Sequence, residues 1–208
     1  GVKIENWDFG GMLFASCWVT QQEEDYPQWA MYGDAMRGVR ITLPADPFDW
    51  YPFDPGDGGY VSEMHTPLPP ALARTDHYKV VPDVNQRGAF LREVRYVGDV
   101  DSVWREACEI GEGSLGVKGS LQDLAGCKSK RWEFQKEHRF VLHLMGRGRS
   151  QGGAIRGPMF TSIDVPLSAA AIGRMQIRMG PLSSHADRVI VESLVARFSP
   201  SIGVEHSH

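Results

Sequence analysis

Alternation of apolar and polar positions is clearest in the stretch Lys128 to Met145, which reads KSKRWEFQKEHRFVLHLM. From Gln135 onward, Gln135, Glu137, Arg139, Val141 and His143 fall on one side, and His138, Phe140, Leu142 and Leu144 on the other. A period of two predicts a half-buried β-strand. One face would pack on a core, while the other sets an amide, a carboxylate, a guanidinium and an imidazole in a row. Such a row is either a site or the wet side of an antiparallel sheet.

Shorter patterns surround it. Met12 to Val19 (MLFASCWV) predicts a strand buried on both faces, and its place so early calls for either an upstream partner or pairing with a later strand. Pro27 opens a helix with Trp29, Tyr32 and Met36 on one face, stopped by Gly38. Val39 to Leu43, Phe90 to Val97, Phe160 to Val165 and Arg174 to Met179 read as strands, and Asp99 to Glu109 as a short helix capped by Asp101 or Ser102. From Ser184 a second helix begins with a capping box to Asp187, and its stripe of Ile190, Leu194, Val195 and Phe198 is expected in the core.

Two stretches lack periodicity. Pro44 to Pro70 is a loop rich in proline and aromatic residues, whose aspartates do not have the spacing of a calcium loop. Gly146 to Gly157 is rich in glycine and arginine, but a strand rather than a helix follows, which predicts a hairpin loop and not a phosphate cradle. The elements together predict one α+β domain over residues 1–208. Its mixed, mostly antiparallel central sheet would hold Met12–Val19, Val39–Leu43, Val94–Val97, Glu137–Met145 and Arg174–Met179, with a few packed helices.

Composition narrows the classes without choosing among them. A chain of 208 residues, 42% hydrophobic and 23% charged, is ordinary globular composition. No apolar run approaches the ~18 residues of a membrane span, and the first residues lack a secretory pattern, so a cytoplasmic protein without a membrane partner is expected. Three scattered cysteines, Cys17, Cys108 and Cys127, predict reduced thiols and no zinc site. The net charge of −4 argues against a broad nucleic-acid surface, although a local basic cluster could hold a phosphate.

Read in order, these landmarks resemble the uncharacterised bacterial and phage family called domain of unknown function 2971. The matching residues are Ser16-Cys17-Trp18 at the end of a strand, then Glu24, Trp29, Tyr32 and Gly38-Val39, then Val94 and Tyr96. Lys128, Trp132, Glu137 and Arg139 follow in the pattern K…W…E-x-R, and Pro181 with the closing helix completes the match. The family usually carries a further strand-bearing segment before the Ser-Cys-Trp strand, which this sequence lacks, and often has glutamate where Gln135 stands. Its layout is similar to that of mono-ADP-ribosyltransferases, whose late strand bears Q-x-E or E-x-E.

That likeness implies an NAD-using enzyme in which Glu137 stabilises the oxocarbenium-like charge on ribose and Gln135 orients the acceptor. Trp29, Tyr32 and Trp132 would wall a small-molecule or nucleotide site, with Lys128 and Arg139 meeting the pyrophosphate. It further implies that these residues share one cleft and that the Glu137 carboxylate reaches solvent while paired with a cation. The rival reading is a binding or regulatory module in which the aromatic-rich loop Pro44 to Pro70 and the polar sheet face form the interaction surface, the Glu–Arg pair then being a surface ion pair. A nucleophilic Cys17 would require a thiolate-stabilising neighbour, and an apolar strand does not supply one.

Overall fold

The computed structural model describes residues 10–20, 24–53, 64–81, 90–111, 114–117, 121–146 and 157–207. The DPGDGGY turn (54–60) and residues 147–156 of the glycine–arginine loop lie outside the described residues. The fold is α+β, with sheets that are mostly antiparallel. The chain divides into two compact units: Gly1–Thr20 with Trp50–Val165, and Gln21–Asp49 with Pro166–His208. Among the described residues no helix is long and apolar enough to cross a membrane.

The strands expected in one central sheet are distributed over three. In the first unit, β1 (Leu13–Val19) runs antiparallel to the long strand Glu137–Gly146, with Leu13 opposite His143 and Cys17 opposite Arg139. The other edge of that long strand is shared by Tyr78–Val80 and Leu91–Glu93. Arg95–Val97 leaves this sheet and pairs in parallel with Cys127–Ser129. The expected strand Phe90 to Val97 is therefore two short strands hinged at buried Val94.

Two burial expectations in this unit are corrected. Residues Ala15 to Cys17 are exposed, because β1 pairs on one edge only among the described residues. The long strand, conversely, is buried on both faces from Phe140 to Leu144, so it is not half wet. On one side Phe90 meets Trp50 edge to face and Phe140 at a tilt. Residues 160–165 form no strand; instead, Phe160 inserts its ring between Phe14 and Tyr78. Val100–Ala107 is helical as expected, but its cap is Asp99, whose carboxylate accepts the Asp101 N–H at 2.9 Å. Gly111 and Gly116 after it belong to an antiparallel pair, Cys108–Gly111 with Ser114–Val117.

The second unit is built on a three-stranded sheet in which Gln176–Met179 lies between Val39–Thr42 and Val204–His206. Ile177 and Met179 are buried, as their alternation predicts. The helix expected to carry Trp29, Tyr32 and Met36 on one face ends earlier, spanning Tyr26–Tyr32. Asp34, Ala35 and Met36 then take left-handed backbone angles, which turns Met36 off the helix. This loop is clamped by the segment after the central strand. The Leu182 N–H donates to Met36 O at 3.1 Å, and the Gly180 N–H to Gly38 O at 2.8 Å.

The closing helix, His185–Phe198, has the predicted capping box between Ser184 and Asp187. Its expected buried stripe is wrong by one residue of rotation. Leu194 is 52% exposed and Phe198 70%, with Ile190 exposed too, while Asp187, Val191 and Val195 turn inward to half-buried positions. Asp187 sets that rotation, because its carboxylate both caps the helix and accepts Arg37 Nη2 at 3.0 Å.

Candidate functional site

Lys128, Gln135, Glu137 and Arg139 come together in the first unit, though not as a row on one strand. Gln135 belongs to a 3-10 turn, Lys130–Gln135, that precedes the long strand. Lys136 ends this turn in a left-handed conformation (φ 45°), a geometry that costs a non-glycine residue roughly 1–2 kcal/mol. The reversal folds the Gln135 side chain back over the strand that Glu137 begins. Lys128 comes from the parallel pair with Arg95–Val97, and its ammonium donates to the Gln135 side-chain Oε1 and to Glu137 Oε2, the latter at 2.7 Å.

Glu137 is the centre of the cluster. Arg139 Nε donates to its Oε1 at 2.5 Å, and Arg139 Nη1 is tied down by the Ala125 carbonyl at 2.5 Å. The Glu137 backbone N–H donates to the Tyr96 hydroxyl at 2.8 Å. The residue is only 6% exposed, so the expectation of a solvent-reachable carboxylate is overturned, although the expected cation is present twice over. Burial pushes the Glu137 carboxyl up, but hydrogen bonds from Arg139, Cys17 and Lys128 outweigh it and hold the pKa at about 2. Burial works against charge on Arg139 as well, and Glu137 overrides it, so the guanidinium sits above its ordinary value. Removing a charge from water requires pairing of this completeness.

Cys17 faces Arg139 across the ladder, beside the same carboxylate. Partial burial and the Glu137 charge push that thiol up, which is the reverse of what a nucleophile needs. Further along the same face, His143 is buried and its pKa is lowered by desolvation; its Nε2 has no hydrogen-bond partner among the described residues.

The aromatics are divided between the two units. Trp132 lies on the 3-10 turn with the Lys128 ammonium 5.5 Å from its ring centre, and it remains 39% exposed. Trp29 and Tyr32 are part of the second unit, where Trp29 is buried and Tyr32 exposed. Sequence reasoning missed Phe134, which is 48% exposed and 6.0 Å from Trp132, and the roles of Tyr96 and Cys17 as donors and acceptors inside the cluster. Phe134 had a signal: an aromatic two residues from another, in a run where every neighbour is charged or polar, has no core to enter.

The cluster can therefore hold a rigid turn, and its carboxylate has both oxygens committed. Among the described residues no group of His, Cys, Asp and Glu side chains could hold a metal ion. No family model, curated protein or solved structure matches the chain.

Proposed function

We propose that the protein is a non-enzymatic binding module whose contact surface is the 3-10 turn Lys130–Gln135, braced from beneath by the Lys128–Glu137–Arg139 ion triad. The observation that carries this reading is the division of labour within one short segment. The carboxylate that an NAD-using enzyme would need is buried and bound by two cations, whereas Trp132 and Phe134 stand out in solvent. Oxocarbenium stabilisation requires a carboxylate whose charge is free to face the sugar. Exposed neighbouring aromatics are instead what a contact surface supplies. The residues that resemble the uncharacterised family's K…W…E-x-R pattern are, on this reading, the frame of a surface rather than catalytic parts.

The test is nicotinamide release from NAD by the wild-type protein, together with thermal unfolding in the presence of NAD. The binding reading predicts no release and no stabilisation. A ligand at ~100 times its dissociation constant would add about 2.7 kcal/mol of stability, an effect too large to miss. Steady release of nicotinamide, lost on Glu137→Gln in a protein that still folds, would replace this reading with the transferase one.

A further inference from the structure

The chain is acidic overall, yet the turn is not. Over residues 130–136, KRWEFQK, three cations face one anion, Glu133, for a local charge of +2 in a protein of net charge −4. Lys130, Arg131 and Lys136 are all exposed, and so are Trp132 and Phe134 between them. The two rings lie 6.0 Å apart and 37° from parallel, so neither covers the other face to face. The turn is also fixed in place, because Gln135 at its end and Lys128 before it are both bound into the ion triad. A platform of this kind loses little conformational freedom when it is occupied.

We infer that this turn binds single-stranded nucleic acid, with bases stacking on Trp132 and Phe134 and phosphates meeting Lys130, Arg131 and Lys136. The inference rests on the binding-module reading and names its partner. Flat rings interleaved with cations match a chain that alternates flat bases with phosphates. An acidic peptide would use the cations and leave the two rings unexplained. Duplex would offer its phosphates but keep its bases stacked and paired. The patch is one turn long, in keeping with an overall charge that argues against an extended nucleic-acid surface. Binding is therefore local and readily weakened by salt.

The experiment is fluorescence anisotropy with a short labelled oligonucleotide of mixed sequence, as DNA and as RNA, against its duplex and against polyglutamate. Single strands are expected to bind more tightly than duplex or polyglutamate. Neutralising three phosphates should give a slope of about −2 in log affinity against log salt concentration. Trp132→Ala and Phe134→Ala should each weaken single-strand binding about fivefold or more, with thermal unfolding unchanged. Lys130→Gln with Arg131→Gln should flatten the salt slope by about 1.4.

Equal binding of duplex, or single-strand binding indifferent to both ring variants, overturns the inference. Tighter binding of polyglutamate, weakened by Lys130→Gln with Arg131→Gln and indifferent to the ring variants, would keep the binding module and replace its partner with an acidic protein segment. No binding of any polyanion overturns the partner assignment by itself, whereas nicotinamide release by the wild type would remove the reading beneath it.

Discussion

The Glu137 cluster and the closing helix invert the usual distribution of residues. In the first, a carboxylate, an amide and two cations are withdrawn from water; in the second, Ile190, Leu194 and Phe198 are left in it. Both began as periodic patterns that predicted a shared face. What the pattern could not carry was which face turned inward. Specific polar contacts accompany that choice in each case: Lys128 and Arg139 pair with the buried Glu137, and Arg37 holds Asp187 on the inward side of the helix, where Val191 joins Val195 in place of Ile190, Leu194 and Phe198.

The comparison breaks most visibly at Arg139. Arg139→Met removes the guanidinium and leaves a buried carboxylate with one cation, and denaturant unfolding should show a loss of about 3–5 kcal/mol. Acid attacks the same cluster without mutation. The Glu137 carboxyl titrates at about 2 in the folded protein against an ordinary value of 4.5. A depressed folded pKa means stability that is fully present above pH 4.5 and lost as pH falls toward 2. The shift corresponds to roughly 3 kcal/mol. Unfolding curves taken down that range should steepen in pH dependence for the wild type and flatten for a variant lacking the carboxyl. His143 adds a loss of the same sign at higher pH, because burial depresses its pKa below 6.5 and protonation then favours the unfolded chain.

In the second unit the largest effect is expected at the clamp rather than on the helix surface. A Cβ on Gly180 would lie 2.2 Å from the Met36 carbonyl oxygen, a backbone atom with no rotamer to move. Gly180→Ala should therefore cost about 1–3 kcal/mol by overpacking. Leu194→Ala, by contrast, should change stability by less than about 0.5 kcal/mol, the range of surface substitutions. A loss of 2 kcal/mol or more, in the range of about 2–5 kcal/mol typical of a core leucine, would mean that the helix buries the stripe and that the inversion is mistaken.

Much of the fold was legible from local pattern. The strands at Leu13–Val19, Val39–Thr42, Glu137–Gly146 and Gln176–Met179, the helix Val100–Ala107 and the Ser184–Asp187 capping box all lie where periodicity and capping chemistry put them. Sheet membership was not legible, because pairing between distant strands leaves no mark within either one. The left-handed run from Asp34 to Met36 was hidden as well; nothing in those side chains demands it, and it is imposed by hydrogen bonds from residues far along the chain. At the candidate site the structure brings Lys128, Gln135, Glu137 and Arg139 together from different elements, and the solvent exposure expected of Glu137 is reversed. Gln135 and Glu137 looked like a wet face because alternation cannot show that Lys128 arrives from another strand to bond both. Phe134 was passed over because it has no partner at helical or strand spacing other than Trp132.

The central claim is that Glu137 braces a turn and performs no chemistry, and Glu137→Gln tests it most directly because the substitution keeps shape and removes charge. Its unfolding free energy should be measured beside that of the wild type, with nicotinamide release from NAD followed in both. The account predicts a loss of about 3–5 kcal/mol, since two half-buried cations lose their counter-charge, and no release from either protein. A variant as stable as the wild type, paired with NAD turnover that the wild type has and the variant lacks, would contradict it.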